Sequence, residues 1–299
     1  MNRIPIERRT LIAHCIVEGN SIRATARIAR TDPYTVLAFL RDLGDACEDY
    51  SGKVMRELKL ERLELDEIWS YVFAKDDKLP PHLKGVTGFG DVYTWTAIDP
   101  VTKLVPAFHA GKRTATDANL FMHDLASRID GRIQLTSDGF KAYEPAIQDA
   151  FGTEADYGQL HKIMHDSLGK MTAADWLNKR RYSQPELNAT KRLKILGNPD
   201  ESKISTSIVE RHNLTIRMSL RRLARATNAY SKTMEGFQAA LSVFHFYYNF
   251  CRLHSTIRCT PAMEAKLCPH VWSLEEFVSL VPAPVANRPK TYRKQPKAA

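Results

Sequence analysis

The sequence predicts an α/β fold, a mixed sheet flanked by helices, with a small all-α unit ahead of it. Three observations predict this. The first fifty residues repeat short helical spacings separated by cap residues. From Arg62 the pattern changes to strand-like runs broken by turn chemistry. Late in the chain, Ser231 to Phe250 is a long apolar and aromatic helical run that must pack on something.

Length and charge narrow the classes. A chain of 299 residues suits two domains, or one large domain with an appendage. With 43 Lys plus Arg against 34 Asp plus Glu, the formal net charge is +9, which favours a polyanionic partner. The five cysteines (Cys15, Cys47, Cys251, Cys259, Cys268) include no C-x-x-C pair, so neither a disulfide framework nor a zinc site is expected. No signal-peptide core or membrane-length apolar run is present, so a soluble protein of a reducing cytoplasm is expected.

Residues 1–50 read as three short helices between Glu7 and Leu43. Gly19 ends the first, Asn20-Ser21 starts the second, and Thr31 with Pro33 starts the third. Through Arg41, seven arginines stand against Glu7, Glu18 and Asp32, a surplus of four positive charges. The run Asp42, Asp45, Glu48 and Asp49 then cancels it. The spacing resembles a helix-turn-helix with Asp32 to Leu43 as recognition helix, and makes Arg23, Arg27, Tyr34 and Thr35 candidate DNA contacts. A small bundle used for packing or dimerisation has the same pattern. Residues 51–61 read as the connection to the next domain.

The larger domain, 62–280, begins with Leu63 to Val72 as a buried strand. Asp91 to Ile98 and Leu104 to His109 continue a meander through the turn Asp99-Pro100. A helix follows over Thr116 to Ile129, a strand over Arg132 to Thr136, and a short helix over Tyr143 to Ala150. The order β-β-β-α-β-α matches an RNase H-like domain before its last helix. Residues 152–203 read as a basic insertion in which Asp156 to Ile163 supplies a last, edge strand. Trp176 to Tyr182 with Lys191, Arg192 and Lys194 form either a nucleic-acid arm or a solvated elaboration. Cys268 to Leu280 has room for a short helix, and the Pro- and Lys-rich tail 281–299 is expected to be disordered.

Chemistry concentrates on three acids. Asp66 falls mid-strand, Asp138 ends the fourth strand, and Glu210 opens a helix predicted from Ile208 to about Ala226. At helical spacing, Glu210, Leu214, Arg217, Arg221 and Arg225 share one face beside an apolar stripe of Val209, Ile216, Leu220 and Leu223. Arg211 and Arg222 flank that face, and these arginines are further candidate DNA contacts. Two like charges roughly 5 Å apart cost on the order of 3 kcal/mol at an effective dielectric near 20, so an ionised cluster calls for divalent cations. Oxygen-only donors favour two Mg²⁺ or Mn²⁺ ions over zinc. Each acid also has a plainer use. Ser207-x-x-Glu210 fits a capping box, Asp138-Gly139 fits a turn, and Asp66 fits an edge charge. Glu64, Glu67, Asp91 and Asp99 fit turns and solvent faces better.

The segments Leu65-Asp66-Glu67-Ile68-Trp69 and Leu135-Thr136-Ser137-Asp138-Gly139 carry two of these acids, and the long run from Ser205 to Arg217 carries the third. With Arg221-Arg222, Arg225, Thr227-Asn228, the run Tyr247 to His254 and Thr260-Pro261-Ala262, they resemble a bacterial DDE-type insertion-sequence transposase over about residues 10–280. The resemblance implies an RNase H-like core with Asp66, Asp138 and Glu210 as metal-binding triad. It also implies an N-terminal helix-turn-helix that recognises double-stranded transposon ends, assembly as a homodimer or higher oligomer on DNA, and a nucleoid-associated location. Expected activity is phosphodiester hydrolysis at each end followed by strand transfer. A catalytically inert DNA-binding regulator and a metal nuclease that never joins strands are the alternatives.

Overall fold

A computed structural model of the chain describes residues 4–164, 187–224 and 227–281. Helices α1 (Ile6–Val17), α2 (Ile22–Ile28) and α3 (Pro33–Val54) come first. Ser21 and Asp32 cap α2 and α3 by accepting from Ala24 and Tyr34 amides. The third helix does not stop near Leu43. It runs 22 residues, through the start of the stretch read as a connection, because Leu43, Gly44 and Cys47 face inward.

Six strands form one mixed sheet, ordered β3-β2-β1-β4-β5-β6. They are β1 (Arg62–Val72), β2 (Gly90–Ile98), β3 (Ala107–Gly111), β4 (Ile133–Ser137), β5 (Ala155–Met164) and β6 (Leu187–Leu196). The meander β1-β2-β3 is antiparallel, β4 lies parallel to both β1 and β5, and β6 closes the far side antiparallel to β5. The expectation that Asp156 to Ile163 would be the edge strand is therefore corrected. Lys191, Arg192 and Lys194 belong to an outer strand, where exposed charge discourages further pairing. Trp176 to Tyr182, Arg225 and the tail 282–299 lie outside the described residues.

Helices α4 (Ala115–Ala126) and α5 (Tyr143–Phe151) cover one face of the sheet, where Trp95 meets Phe121 and Tyr143. The other face carries α6 (Ser207–Ser219) and α7 (Met234–Phe246), with Phe108 of β3 stacked on His245 of α7. A five-residue π-helical turn, Tyr247–Cys251, extends α7, and the short α8 (Pro261–Glu264) and α9 (Leu274–Ser279) follow. Asn249 in that turn accepts from the Val105 amide at 3.0 Å and donates to its carbonyl at 2.9 Å, clamping α7 to the chain entering β3. The N-terminal helices share one apolar core with the sheet. A Cβ on Gly44 would stand 2.6 Å from Ala239 Cα, so glycine lets α3 cross α7 at close range. No helix among the described residues is long and apolar enough to cross a membrane.

Candidate functional site

The parallel pairing of β1 with β4 ends at Glu64↔Thr136, and Asp66 and Asp138 follow on the two diverging chains. The helix that carries Glu210 packs on β1. Its first turn is held by Glu64, whose buried Oε2 accepts from the Ile208 amide at 2.7 Å and the Val209 amide at 3.0 Å. A carboxylate from the neighbouring strand thus satisfies two amides that a helix leaves open, and favours its positive end. The plainer use of Glu210, a capping box with Ser207, is absent: the helix's N-cap is Thr206, and it makes no side-chain cap. Glu210 is left for other contacts. Its Oε1 accepts from Thr206 Oγ1 at 2.6 Å and pairs with Lys162 of β5.

Asp66 is half-buried. Its Oδ1 accepts from the Glu67 amide at 2.9 Å and its Oδ2 from Asn213 Nδ2 at 2.7 Å, again from α6. Its pKa rises from 3.8 to about 7, first through burial, then through the charge of Glu67, with Asp138 and Glu210 adding to the repulsion. Those influences show that the three acids share one electrostatic neighbourhood. Asp138 serves two purposes. Oδ1 accepts from the Phe140 amide at 2.9 Å, the turn use anticipated for Asp-Gly, while Oδ2 lies 4.0 Å from Arg113. A Cβ on Gly139 would sit 2.8 Å from His161 Cε1, so a side chain after Asp138 would have to push the His161 ring aside.

Several functional-looking residues escaped the sequence reading. Glu64 and Glu67, taken for solvent-facing charges, are both enclosed. Glu67 accepts from Arg113 Nε at 2.6 Å and from Tyr143 OH at 2.9 Å, and only 2% of its side chain is exposed. Arg113 also lies over the Phe140 ring at 4.1 Å. Their place in β1 was visible. Partners up to 145 residues away were not.

The arginine face needs correcting. The helix stops at Ser219 and a tight 3-10 turn, Arg221–Leu223, follows, because that turn buries both Leu220 and Leu223. Arg217 reaches back to the Leu223 carbonyl at 2.8 Å and the Trp69 carbonyl at 3.4 Å. Arg222 points inward to Ser231 Oγ at 2.9 Å and to the Gly236 carbonyl, and burial brings its pKa down to about 10. It braces the interior and is not placed to meet DNA. Arg211 and Arg221 remain exposed, as do Arg23, Arg27 and Tyr34, while Thr35 is half-buried.

Among the described residues, no group of three or more His, Cys, Asp or Glu side chains is drawn together as a ready metal cage. Lys162 and Thr206 hold Glu210, and Asn213 holds Asp66. The donor chemistry nonetheless suits a hard divalent cation, with oxygen donors only and a central carboxylate whose charge is poorly compensated. Compared with protein-family models and with curated proteins, the chain matches none.

Proposed function

We propose that the protein is a DDE-type DNA transposase of a bacterial insertion sequence, acting on double-stranded DNA in the cytoplasm at the nucleoid as a homodimer or larger assembly. The observation that carries the reading is Asp66, a carboxylate raised to about 7 at the point where β1 and β4 part, with Asp138 and Glu210 among the charges that raise it. The strand order with β1 central and β4 parallel beside it supports an RNase H-like core. Helices α1 and α2 followed by α3, the last two capped by Ser21 and Asp32 and with Tyr34 72% exposed, support a helix-turn-helix in which α3 supplies the recognition residues.

In this reading Asp66, Asp138 and Glu210 hold two Mg²⁺ or Mn²⁺ ions. Those ions, when bound, supply Lewis acidity to a phosphodiester and lower the pKa of a water or sugar hydroxyl. The protein's own contribution is placement. Asn213 holds Asp66 in position, Glu64 anchors the first turn of α6, and Arg113 sits beside Asp138. Lys162 neutralises Glu210 until that carboxylate is used.

The test uses DNA carrying the terminal inverted repeats that flank the gene. Asp66→Asn, Asp138→Asn and Glu210→Gln should each abolish Mg²⁺-dependent end cleavage and strand joining while leaving end binding intact. Near wild-type turnover in any one removes that residue from the triad. Cleavage without joining in the wild type would make the protein a nuclease.

A further inference from the structure

Along β1, beyond the three acids, the chain carries an aromatic surface that the proposed chemistry does not use. Trp69 and Tyr71 alternate with the inward residues of the strand, and their ring centroids are 5.8 Å apart. Tyr230 continues the row, 5.1 Å from Tyr71 at an interplanar angle of 37°. All three rings are half-buried. Two exposed lysines flank them, Lys75 with its Nζ 5.3 Å from the Trp69 ring centre and Lys232 with its Nζ 3.4 Å from that of Tyr230.

Trp69 and Tyr71 lie on the length of β1 beyond its pairing with β4, which ends at Glu64. Trp69 is three residues from Asp66, about 10 Å along an extended chain, and the odd step puts its ring on the face of Glu67 and Arg113, across the strand from the Asp66 side chain. The surface is tied to the site's framework. Arg217, from the helix of Glu210, donates to the Trp69 carbonyl, and Ser231 beside Tyr230 bridges to Val72 and accepts from Arg222. The rings are therefore held in place before any partner arrives, which lowers the ordering cost of binding.

We infer that Trp69, Tyr71 and Tyr230, with Lys75 and Lys232, form a stacking platform for unpaired DNA bases next to the cleavage site. The inference rests on the proposed function for its DNA context. Bases inside a duplex already have both faces stacked, so only an unpaired base has a face to offer the rings. Exposed cation–π contacts are weak, so each lysine can leave its ring to a base and turn to the adjoining phosphate. A purely structural cluster would not need cations across its outer faces, and the chain's net charge of +9 suits a polyanion.

The test measures fluorescence anisotropy of the full chain in EDTA, so that no strand is cut. The probes are a labelled twelve-residue oligo-dT, an abasic oligomer of the same length and charge, and a duplex of that length. The wild type should bind oligo-dT about tenfold or more tighter than the abasic oligomer, the size expected for stacking one base. Trp69→Leu and Tyr230→Leu should each remove most of that difference while leaving abasic and duplex binding unchanged, and Trp69→Phe should restore most of it. Should Trp69→Leu fail to fold, Tyr230→Leu still decides the question. Equal wild-type affinity for oligo-dT and abasic DNA overturns the inference, as does a loss in the variants that is the same on all three probes. Asp66→Asn separates the two proposals. If it keeps full end cleavage while the stacking difference stands, the transposase reading fails and the platform survives. If it abolishes cleavage while the stacking difference is missing, the platform alone fails.

Discussion

Replacing Asp66 by Asn should make the metal-free protein more stable, and increasingly so as pH rises. The carboxyl titrates near 7 in the folded chain against an ordinary value of 3.8. Below about pH 4 both folded and unfolded chains hold the proton, and the group contributes nothing. Between those values the unfolded chain has released a proton that the folded chain keeps, so stability falls as pH rises, and above about 7 the full penalty is present. At about 1.4 kcal/mol per pH unit the penalty is under roughly 2 kcal/mol at pH 5 and about 4 kcal/mol at pH 8. The substitution keeps the shape. The new amide oxygen can accept from the Glu67 amide, and a flipped Asn213 can present Oδ1, a buried atom with no protein partner at present, to the new NH₂. Urea unfolding of both proteins in EDTA at pH 5 and pH 8 measures the gap, and adding Mg²⁺ at pH 8 should stabilise the wild type alone. A gap that does not grow with pH, or a variant less stable at pH 8, would refute the claim that Asp66 is an uncompensated charge in this fold.

Other perturbations separate architecture from chemistry. Glu64→Ala should cost about 1–3 kcal/mol by stripping the Ile208 and Val209 amides of their acceptor, and should slow end cleavage because α6 carries Glu210; unchanged urea midpoint and turnover would show that Glu64 is dispensable. Gly44→Val should cost at least about 1–3 kcal/mol, because α3 and α7 must part to admit the side chain; a melting temperature equal to that of wild type would count against the close crossing. Arg222→Gln should lower stability by about 1–3 kcal/mol and leave the salt dependence of DNA binding unchanged. Arg221→Gln should do the reverse, with the slope of log K against log salt shallower by about 0.9 if the residue meets one phosphate; the opposite assignment of effects would restore Arg222 as a DNA contact.

What was legible in the chain was whatever local pattern encodes. Strands β1, β2 and β4 and helices α4 and α5 emerge within a few residues of where alternation and helical spacing place them, since their apolar faces repeat against one core. Strand β6 was hidden because an outer strand is kept from further pairing by charges such as Lys191 and Arg192, which erase the alternation. The end of α6 was misjudged for the opposite reason, as the arginines after Ser219 happen to continue a helical period that the backbone abandons. Among the acids, periodicity said that Asp66 lay in a strand. It said nothing of Glu64 and Glu67, whose burial depends on amides and a guanidinium brought in from distant parts of the chain. The Tyr247 to His254 run, conspicuous as a motif, proves in its Asn249 to be a backbone clamp between α7 and the entry to β3.

The partners of the three acids differ in a way that bears on how the site is used. Asp66 is held by an amide and a backbone N–H, which orient the carboxylate but bring no positive charge, and its proton affinity stays high in consequence. Glu210 faces a lysine and Asp138 has an arginine at 4.0 Å, and in each pair both side chains are at least a third exposed. Ion pairs in that setting contribute about 1 kcal/mol or less, so they restrain the two outer carboxylates without locking them. Asp66 is therefore held with no cation beside it, while Asp138 and Glu210 each have one, along with a hydrogen bond from the Phe140 amide and from the Thr206 hydroxyl. If the three acids hold metal as proposed, a divalent cation would gain most from Asp66, and Lys162, once parted from Glu210, would be left as a cation able to meet a phosphate.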